Sequence, residues 1–243
     1  MAFPRYFTDA EVSAGMIVAL DAVDAHHAAN VLRCKVGDPL TLVSSGVAWD
    51  AEVASASKKG VDVRAVRTSD DQGGELPSPV VVLQALTKGA KFDEVVEKTV
   101  ELGVARIVPV ICARSEAEGN PHKLERWQRV VRAAAMQSRR RMVPVVEPAM
   151  GWADALARFA PGSFALVAFE GAPARSLGNA MQSYRAGSPV VIAIGPEGGL
   201  EVGEVETAHG LDAHVVSLGP TILRTETAAP ALLAALASSA GWW

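Results

Sequence analysis

Two different rhythms of hydrophobic and polar residues divide the chain near residue 70. Before that point, stretches of four to six residues in which apolar side chains recur at every second position, such as 40–43 and 61–66, are separated by turns rich in Gly and Ser. This pattern is typical of short strands in a small β-barrel or sandwich. A single helical patch over residues 24–32 interrupts the strands, and the polar, Gly- and Pro-rich stretch 68–79 predicts a linker.

After residue 80 the pattern becomes one of strands alternating with helices. Residues 80–86 form a continuous apolar run, which indicates a strand buried on both faces. Residues 91–102 place apolar side chains on one helical face, and Gly103 stands where a helix commonly ends. Further strands are predicted over 107–112, 164–169, 189–194 and 214–218, and further helices over 123–140, over 201–209 and at the C-terminus.

This alternation predicts a parallel sheet with right-handed crossovers. The expected organisation is therefore a β-rich domain of residues 1–70, a linker of residues 71–79 and an α/β domain of residues 80–243.

Open parallel sheets bind ligands beyond the carboxyl ends of their strands, so the loops after Leu86, Ile194 and Leu218 are the first candidates for a site. The loop 195–200 has three glycines and a proline in six residues. Such a bend can bring backbone N–H groups against a ligand, whereas an ordinary turn needs one glycine. The chain has neither a P-loop nor a G-x-G-x-x-G fingerprint, so nucleotide hydrolysis and hydride transfer lose their usual support.

The loop after Leu218 leads into the last helix, and Pro230 constrains where that helix begins. If Thr225 were the N-cap, the proline would remove a backbone hydrogen bond to Glu226. If Thr227 is the N-cap, the proline falls at the third helical position, where no partner is needed. The second alternative predicts an ordered loop over 219–226 whose charged residues are free for a site. The other interpretation is that the first-turn residues only favour the helix dipole.

Charge is distributed unevenly along the chain. The 243 residues have a net charge of −4, which excludes a uniformly basic coat for nucleic acid. Residues 122–147 nevertheless hold seven basic and two acidic residues, a net of +5 against −9 for the remainder. Arginines recur at every third position of its predicted helix, which favours phosphate contacts over a merely solvated face. Arg33 and Lys35 suit RNA backbone contacts and an ordinary surface equally well.

The remaining features predict an ordinary cytoplasmic protein without a metal. Cys34 and Cys112 have no paired spacing, so two reduced thiols are expected. The adjacent His26 and His27 point roughly 100° apart on a helix and have no third ligand nearby. No secretory signal is visible at the N-terminus, and no apolar run reaches the roughly 18 residues of a membrane span.

Five segments together give the chain a recognisable resemblance. It resembles the RsmE family of 16S rRNA uridine N3-methyltransferases, within the knotted SPOUT class, over essentially its whole length. The segments are HHAANVLRCKVGD (26–38), KGAKFDEVVEKTVELGVARIVPV (88–110), MQSRRRMVP (136–144), IGPEGGL (194–200) and LGPTILRTETA (218–228). Two positions depart from the family pattern: Met136 stands where Glu is frequent, and Thr221 where Arg is frequent.

The resemblance implies an N-terminal PUA-like RNA-binding barrel and a parallel sheet with a C-terminal trefoil knot. It also implies a homodimer that uses S-adenosylmethionine to methylate one uridine in the 16S rRNA of the 30S subunit. The donor is expected to contact Leu86, Gly195, Pro196, Glu197, Gly198, Gly199, Leu200, Leu218, Gly219, Leu223, Arg224, Thr225, Thr227 and Ala228. The expected RNA contacts are Arg33, Lys35, Lys88, Lys123, Arg126, Arg129, Arg132, Arg139 and Arg140.

The chemistry requires few groups, because the sulfonium already makes its methyl group electrophilic. Arg224 or Arg139 would stabilise the negative charge that develops on the uridine. Glu197 or Glu226 would accept the N3 proton, or would only hydrogen-bond donor groups. Two rival functions remain: a non-catalytic RNA-binding protein, and a knotted methyltransferase that acts on tRNA.

Overall fold

The chain divides into two compact units. A computed structural model describes residues 3–57, 60–71, 73–115, 121–171 and 175–243. The N-terminal unit comprises Met1–Glu75 and Ala135–Val143, and the C-terminal unit comprises Leu76–Ala134 and Pro144–Trp243. The first boundary thus falls inside the predicted linker, of which Gln72 lies outside the described residues. A nine-residue segment that the sequence assigns to the α/β domain belongs instead to the N-terminal unit.

The N-terminal unit is built on one mixed sheet. Its strands are β1 (Arg5–Thr8), β2 (Ile17–Ala19), β3 (Pro39–Ser44), β4 (Val47–Ser57) and β5 (Gly60–Thr68), in the order β1-β3-β4-β5-β2. The pair β1–β3 is parallel and the other pairs are antiparallel. The predicted helical patch forms α1 (Ala22–His26), which Asp21 caps, followed by a π-helical turn at His27–Val31. Tyr6, Leu42, Val53 and Val63 are almost fully buried in the core below.

The C-terminal unit contains the predicted parallel sheet. Its strands are β6 (Val80–Ala85), β7 (Arg106–Ile111), β8 (Val145–Val146), β9 (Met150–Gly151), β10 (Phe164–Ala168), β11 (Arg175–Ser176), β12 (Val190–Ile194) and β13 (His214–Ser217). The order is β11-β13-β10-β12-β6-β7-β8, and β9 also pairs with β7. All of these pairs are parallel, which confirms the prediction from the alternating pattern.

Helices cover both faces of this sheet. They are α2 (Lys91–Glu101), α3 (Pro121–Gln137), α4 (Trp152–Phe159), α5 (Leu177–Met181), α6 (Val202–Gly210) and α7 (Thr225–Ser239). On one face α4 and α6 close a core around Leu83, Val108 and Leu156. On the other, α7 packs against α2, β6 and β12. Two-sided burial explains why β6 is apolar at every position except Gln84.

The last helix begins earlier than the sequence predicts. It starts at Thr225, so the favoured N-cap at Thr227 is wrong and Pro230 occupies the sixth helical position. The Thr225 hydroxyl donates to the carbonyl oxygen of Gly195 over 2.8 Å and accepts from the side-chain nitrogen of Gln84 over 3.0 Å. These tertiary hydrogen bonds hold the first turn in place although the proline lacks a backbone N–H to continue the ladder.

A buried charge cluster fastens the segment Ala135–Val143 to the N-terminal unit. The cluster consists of Arg5, Asp71, Glu75 and Arg140. The guanidinium of Arg140 donates to the Glu75 carboxylate from Nη2 over 2.7 Å and from Nε over 3.0 Å. Arg5 pairs with Asp71, and its Nη1 donates to the carbonyl oxygens of Arg139 and Arg140, 2.9 Å away in each case.

This arrangement corrects the prediction that Arg140 contacts RNA. The residue is only 1% exposed, and its guanidinium is engaged by Glu75. Burial disfavours the charged form of the Glu75 carboxyl, but hydrogen bonds from Arg140 and from the backbone N–H groups of Arg141 and Met142 outweigh that cost. The pKa of Glu75 therefore lies below its ordinary value.

Replacing Arg140 by Met is expected to lower the free energy of unfolding by about 3 kcal/mol, since it leaves a partly buried carboxylate without its cation. Urea unfolding at pH 7 measures this. In the wild-type protein the stabilisation by this pair is complete above the ordinary pKa of 4.5 and is lost as pH falls through the lower folded-state pKa of Glu75. If the free energies of unfolding of the wild-type protein and of Arg140→Met agree within about 0.5 kcal/mol at pH 7, the pair does not stabilise the N-terminal unit.

Candidate active site

A cavity of about 410 Å³ lies in the C-terminal unit at the carboxyl ends of β10, β12 and β13. Parallel sheets commonly bind ligands at this edge. Because β10 lies between β12 and β13 in the sheet, the loops that follow the three strands meet around one space. The start of α7 closes the cavity on a further side, since Thr225, Glu226 and Ala228 line it.

Most residues predicted to hold a methyl donor converge on this cavity. Leu86 does not, because it is buried in the core, and Thr227 is exposed on the first turn of α7 without lining the cavity. The carbonyl oxygen of Gly198 accepts a hydrogen bond of 3.1 Å from Arg114, and Gly198 does not line the cavity either. The predicted residues that do line it are Gly195, Pro196, Glu197, Gly199, Leu200, Leu218, Gly219, Leu223, Arg224, Thr225 and Ala228.

Close packing accounts for two glycines of the loop after β12. Gly199 has a φ of +73°, a conformation that favours glycine, and its N–H donates to the carbonyl oxygen of Pro196 over 2.9 Å. A Cβ atom on Gly195 would lie 2.8 Å from Cγ of Leu200. The glycines therefore shape a tight turn beside the cavity, in addition to leaving its backbone bare.

A buried amide joins three segments behind the cavity. Gln84 of β6 is fully buried, and its Nε2 donates to the Thr225 hydroxyl over 3.0 Å and to the carbonyl oxygen of Ala85 over 3.2 Å. The Thr225 hydroxyl donates in turn to Gly195. Burying an amide is costly unless it is hydrogen-bonded, so this network fixes β6, the loop after β12 and α7 relative to one another. Gln84 was not among the predicted site residues, although it is the one polar residue in the apolar run 80–86.

Charged side chains gather at the cavity. Nζ of Lys91 lies 3.4 Å from Oε1 of Glu197 and 3.7 Å from Oε1 of Glu226. Nη1 of Arg224 is 4.0 Å from the same oxygen of Glu226. The Glu226 side chain is only 14% exposed, and its Oε2 has no hydrogen-bond partner among the described residues. Glu226 therefore offers the cavity an unused acceptor, whereas Glu197 is well exposed and lies beside a lysine.

Two further parts of the cavity lining were not predicted from the sequence. Phe169 and Glu170 follow β10 and belong to the cavity wall. The rule that selected the other loops applies equally to this one, since strand 164–169 was predicted, but the order of strands in the sheet was unknown. Lys91 was overlooked too, although it stands at the start of the predicted helix 91–102 and within a segment that carries the family resemblance. Thr221, one of the two departures from that pattern, also lines the cavity.

The predicted RNA contacts of the C-terminal unit are only partly available. Arg126 and Arg129 are exposed on α3, while Lys123 and Arg132 of the same helix are half-buried. Asp93 of α2 pairs with Arg126, so one arginine of the basic segment has an acidic partner that lies outside the segment. Lys88 is exposed just before α2.

The predicted RNA contacts of the N-terminal unit are exposed, apart from Arg140. Arg33 and Lys35 follow the π-helical turn, and Arg139 lies on the segment that the charge cluster holds. Arg139 does not line the cavity of the C-terminal unit. Met136, the other departure from the family pattern, packs against the apolar core of the N-terminal unit.

The two histidines have local partners. His26 lies 3.0 Å from the amide nitrogen of Asn30, and His27 lies 3.2 Å from the hydroxyl of Tyr6. In the described ranges no three His, Cys, Asp or Glu side chains converge as a metal site would require. Both cysteines are unpaired. Within those same ranges, every helix is too short or too polar to cross a membrane.

Comparisons with known proteins agree with this architecture. A family described as RNA methyltransferase domain matches residues 74–237, and one described as RNA methyltransferase PUA domain matches residues 20–66. Ribosomal RNA small subunit methyltransferase E from Bacillus subtilis is 32% identical over 236 residues, which cover 92% of each chain. The protein of the same name from Mycobacterium bovis is 32% identical over 248 residues, covering 98% of this chain and 92% of its own.

A solved structure extends the agreement to three dimensions. Ribosomal RNA small subunit methyltransferase E from Neisseria gonorrhoeae, bound to S-adenosyl methionine, matches with a TM-score of 0.89 and 32% identity over 97% of both chains. Its similarity covers the sheet of the N-terminal unit as well as the parallel sheet that carries the cavity. The chain therefore belongs to the RsmE family, the ribosomal RNA small subunit methyltransferases E.

Proposed function

We propose that this protein transfers a methyl group from S-adenosylmethionine to N3 of one uridine in the 16S rRNA of the small ribosomal subunit. The observation that carries the proposal is the cavity at the carboxyl ends of β10, β12 and β13, which Glu226 and Arg224 line. Oε1 of Glu226 lies 4.0 Å from Nη1 of Arg224, and its Oε2 is buried without a hydrogen-bond partner among the described residues. Family membership supports the donor and the class of acceptor.

The residues of the cavity suit S-adenosylmethionine. Its apolar wall, with Ile194, Leu200 and Leu223, can cover a flat adenine, and the backbone of the loop after β12 can approach the ligand closely because of its glycines. The unpartnered Oε2 of Glu226 offers an acceptor for a donor group of the ligand or of the base. When bound, this cofactor supplies the methyl group from its positively charged sulfur.

The side chains at the cavity have separable tasks in this proposal. Glu226 accepts the N3 proton through Oε2, because that oxygen has no hydrogen-bond partner in the part of the chain that the structure describes. Arg224, whose side chain is 82% exposed beside the cavity, turns its guanidinium to the negative charge that develops on the uridine. Lys91 stays between Glu197 and Glu226, within 4 Å of one oxygen of each carboxylate. The target base has to be unstacked for its N3 to reach these groups.

The proposal includes the trefoil knot of the SPOUT class. Strand β13 lies on the far side of β10 from β12, yet α7, which follows it, packs against β12 and β6. The intervening residues 218–224 therefore cross back past the loop after β12, to which Thr225 is hydrogen-bonded. This crossing supports a knot in which the C-terminal segment with α7 passes beneath the loop after β12. The homodimer implied by the family resemblance remains a prediction.

A pure RNA-binding protein with an unused cavity is the rival from another class. A calorimetric titration with S-adenosylmethionine separates the two, because the enzyme binds the donor with measurable heat and a pure binder does not. The Thr225→Val variant sharpens this experiment. It removes the hydrogen bond that Thr225 donates to the Gly195 carbonyl and the one that it accepts from the Gln84 amide. About a tenfold weaker donor affinity is expected from such a loss.

The control for this variant is Thr99→Val, since Thr99 is equally buried but its hydroxyl bonds only within α2. It should keep the wild-type donor affinity. An unchanged affinity in Thr225→Val, measured on folded protein, would contradict the role of the network in shaping the cavity.

Replacing Arg224 by Ala should lower the rate of methyl transfer at least about 100-fold, since it removes a donor to the developing charge. Transfer of tritiated methyl from the donor to 16S rRNA measures this, and circular dichroism should show an intact fold because the side chain is exposed. Arg158→Ala, which removes an exposed arginine from α4, serves as the matched control. Near-normal turnover of the Arg224 variant would refute its assignment.

Replacing Glu226 by Gln should lower kcat while the dissociation constant of S-adenosylmethionine stays near its wild-type value. Loss of donor affinity with an unchanged kcat would instead show that this carboxylate holds the cofactor. The parallel variant Glu197→Gln should have the smaller effect on kcat, because that side chain is exposed. A larger effect at Glu197 would reverse the assignment of the proton acceptor.

A further inference from the structure

The N-terminal unit contains a turn that several hydrogen bonds to the side chains of Arg5 and Glu75 hold in place. Residues 138–142, here named the basic turn, follow α3 and carry Arg139, Arg140 and Arg141. Arg140 points into the unit and is buried, whereas Arg139 is exposed and Arg141 is half-buried. Three consecutive arginines thus face different environments.

We propose that Glu75 is a positioning residue that holds the basic turn so that Arg139 and Arg141 bind a phosphate of the RNA backbone. This inference rests on the proposed function only in taking RNA as the ligand.

The first support is the number of bonds that end on one carboxylate. Glu75 accepts from the Arg140 guanidinium and, through Oε1, from the backbone N–H groups of Arg141 over 2.9 Å and of Met142 over 3.3 Å. A single side chain therefore fixes both the inward arginine and the main chain that follows it. Charge-assisted hydrogen bonds of this kind are about twice as strong as neutral ones.

The second support is the backbone conformation of Arg139. Its φ of +60° is left-handed, which costs a non-glycine residue about 1 kcal/mol. Arg5 donates from Nη1 to the carbonyl oxygens of Arg139 and Arg140, and the N–H of Arg140 donates to the carbonyl oxygen of Ala135 over 2.9 Å. The strain is maintained by its surroundings, and its effect is to direct Arg139 and Arg140 to opposite sides of the turn.

The third support is the packing of Arg141. A Cβ atom on Gly73 would lie only 2.6 Å from Cγ of Arg141, so the absence of a side chain at position 73 leaves room for the aliphatic stem of the arginine. Gly73 has a φ of +64° and donates to Oδ1 of Asp71 over 2.9 Å. The Nε of Arg141 is buried without a hydrogen-bond partner among the described residues. This side chain is thus held in one place with donor capacity unused.

Charge balance points to an anion as the ligand. The turn and its supports contribute four arginines, counting Arg5, against the carboxylates of Asp71 and Glu75. Burial lowers the pKa of Arg5, and the positive charges of Arg139 and Arg141 add to that effect although Asp71 opposes it. Two positive charges therefore remain without a carboxylate of the cluster and belong to the two outward arginines. Guanidinium groups match the geometry of phosphate oxygens.

Stability alone gives no reason for this cluster. Burying ion pairs costs desolvation, and well-packed apolar residues of similar volume are often as stable or more so. A cluster that positions the exposed Arg139 and the half-buried Arg141 does give a reason. Such fixed cations lose less side-chain entropy when they bind a phosphate.

The experiment measures binding of a 16S rRNA transcript at several salt concentrations. Arg139→Ala and Arg141→Ala should each weaken binding and lower the slope of log affinity against log salt by about 0.7 to 0.9. Glu75→Gln should weaken RNA binding about tenfold. Adding Arg139→Ala to this variant should reduce RNA affinity by a smaller factor than Arg139→Ala does in the wild-type protein. Such non-additivity is the signature of a residue that acts through another.

Several controls separate positioning from general stability. Glu147→Gln removes another carboxylate that pairs with an arginine, Arg106, and should leave RNA affinity unchanged. Glu75→Gln should raise the KM for RNA with little change in kcat, and should keep the wild-type affinity for S-adenosylmethionine. If this variant does not fold, Gly73→Ala displaces Arg141 while the four charges stay in place, and it should weaken RNA binding in the same way.

Wild-type affinity and salt slope in both Glu75→Gln and Gly73→Ala would overturn the inference, as would unchanged binding in the two arginine variants. If polyglutamate binds as tightly as the 16S rRNA transcript, the ligand of the basic turn is an acidic protein and the assignment to RNA is overturned. Methyl transfer by the wild-type protein is measured in parallel. If the protein binds the transcript through the basic turn but transfers no methyl group, the proposed function fails and the inference stands.

Discussion

The two hydrogen bonds of the Thr225 hydroxyl are the contacts on which the candidate active site depends. This hydroxyl accepts a hydrogen bond from Gln84 in the middle of the parallel sheet and donates one to Gly195 at the end of β12. Through these two bonds the first turn of α7 is held beside the loop after β12. The cavity exists because these segments and the loop after β10 are fixed at the same edge of the sheet.

Local patterns in the sequence predict the parallel sheet and most of the cavity, but they do not show contacts between distant residues. The helix rule for Pro230 placed the start of α7 three residues too late, because the buried partners of Thr225 are 30 and 141 residues away. The basic segment 122–147 likewise looked unpaired, since Asp93 and Glu75 lie far outside it. Very short elements such as β8 and β11 have too few residues to show any periodicity.

The arginines of the basic segment divide into structural and exposed groups. Arg140 is buried in the charge cluster of the N-terminal unit, where it pairs with Glu75, and Arg126 pairs with Asp93 of α2. Arg129 and Arg139 remain exposed. The net charge of −4 thus conceals a small number of exposed basic side chains, some in the N-terminal unit and some in the C-terminal unit. An enzyme that has to find one nucleotide in a large RNA needs such limited, well-placed contacts more than a generally basic surface.

The central claim is that the cavity directs a methyl group to one uridine of the small-subunit RNA. The most direct test gives the protein methyl-labelled S-adenosylmethionine with 30S subunits, naked 16S rRNA or tRNA, and then maps the label and identifies the modified nucleoside. We expect label at a single position of 16S rRNA, recovered as 3-methyluridine. Label in tRNA, label on another atom of the base, or donor binding without any transfer to RNA would contradict it.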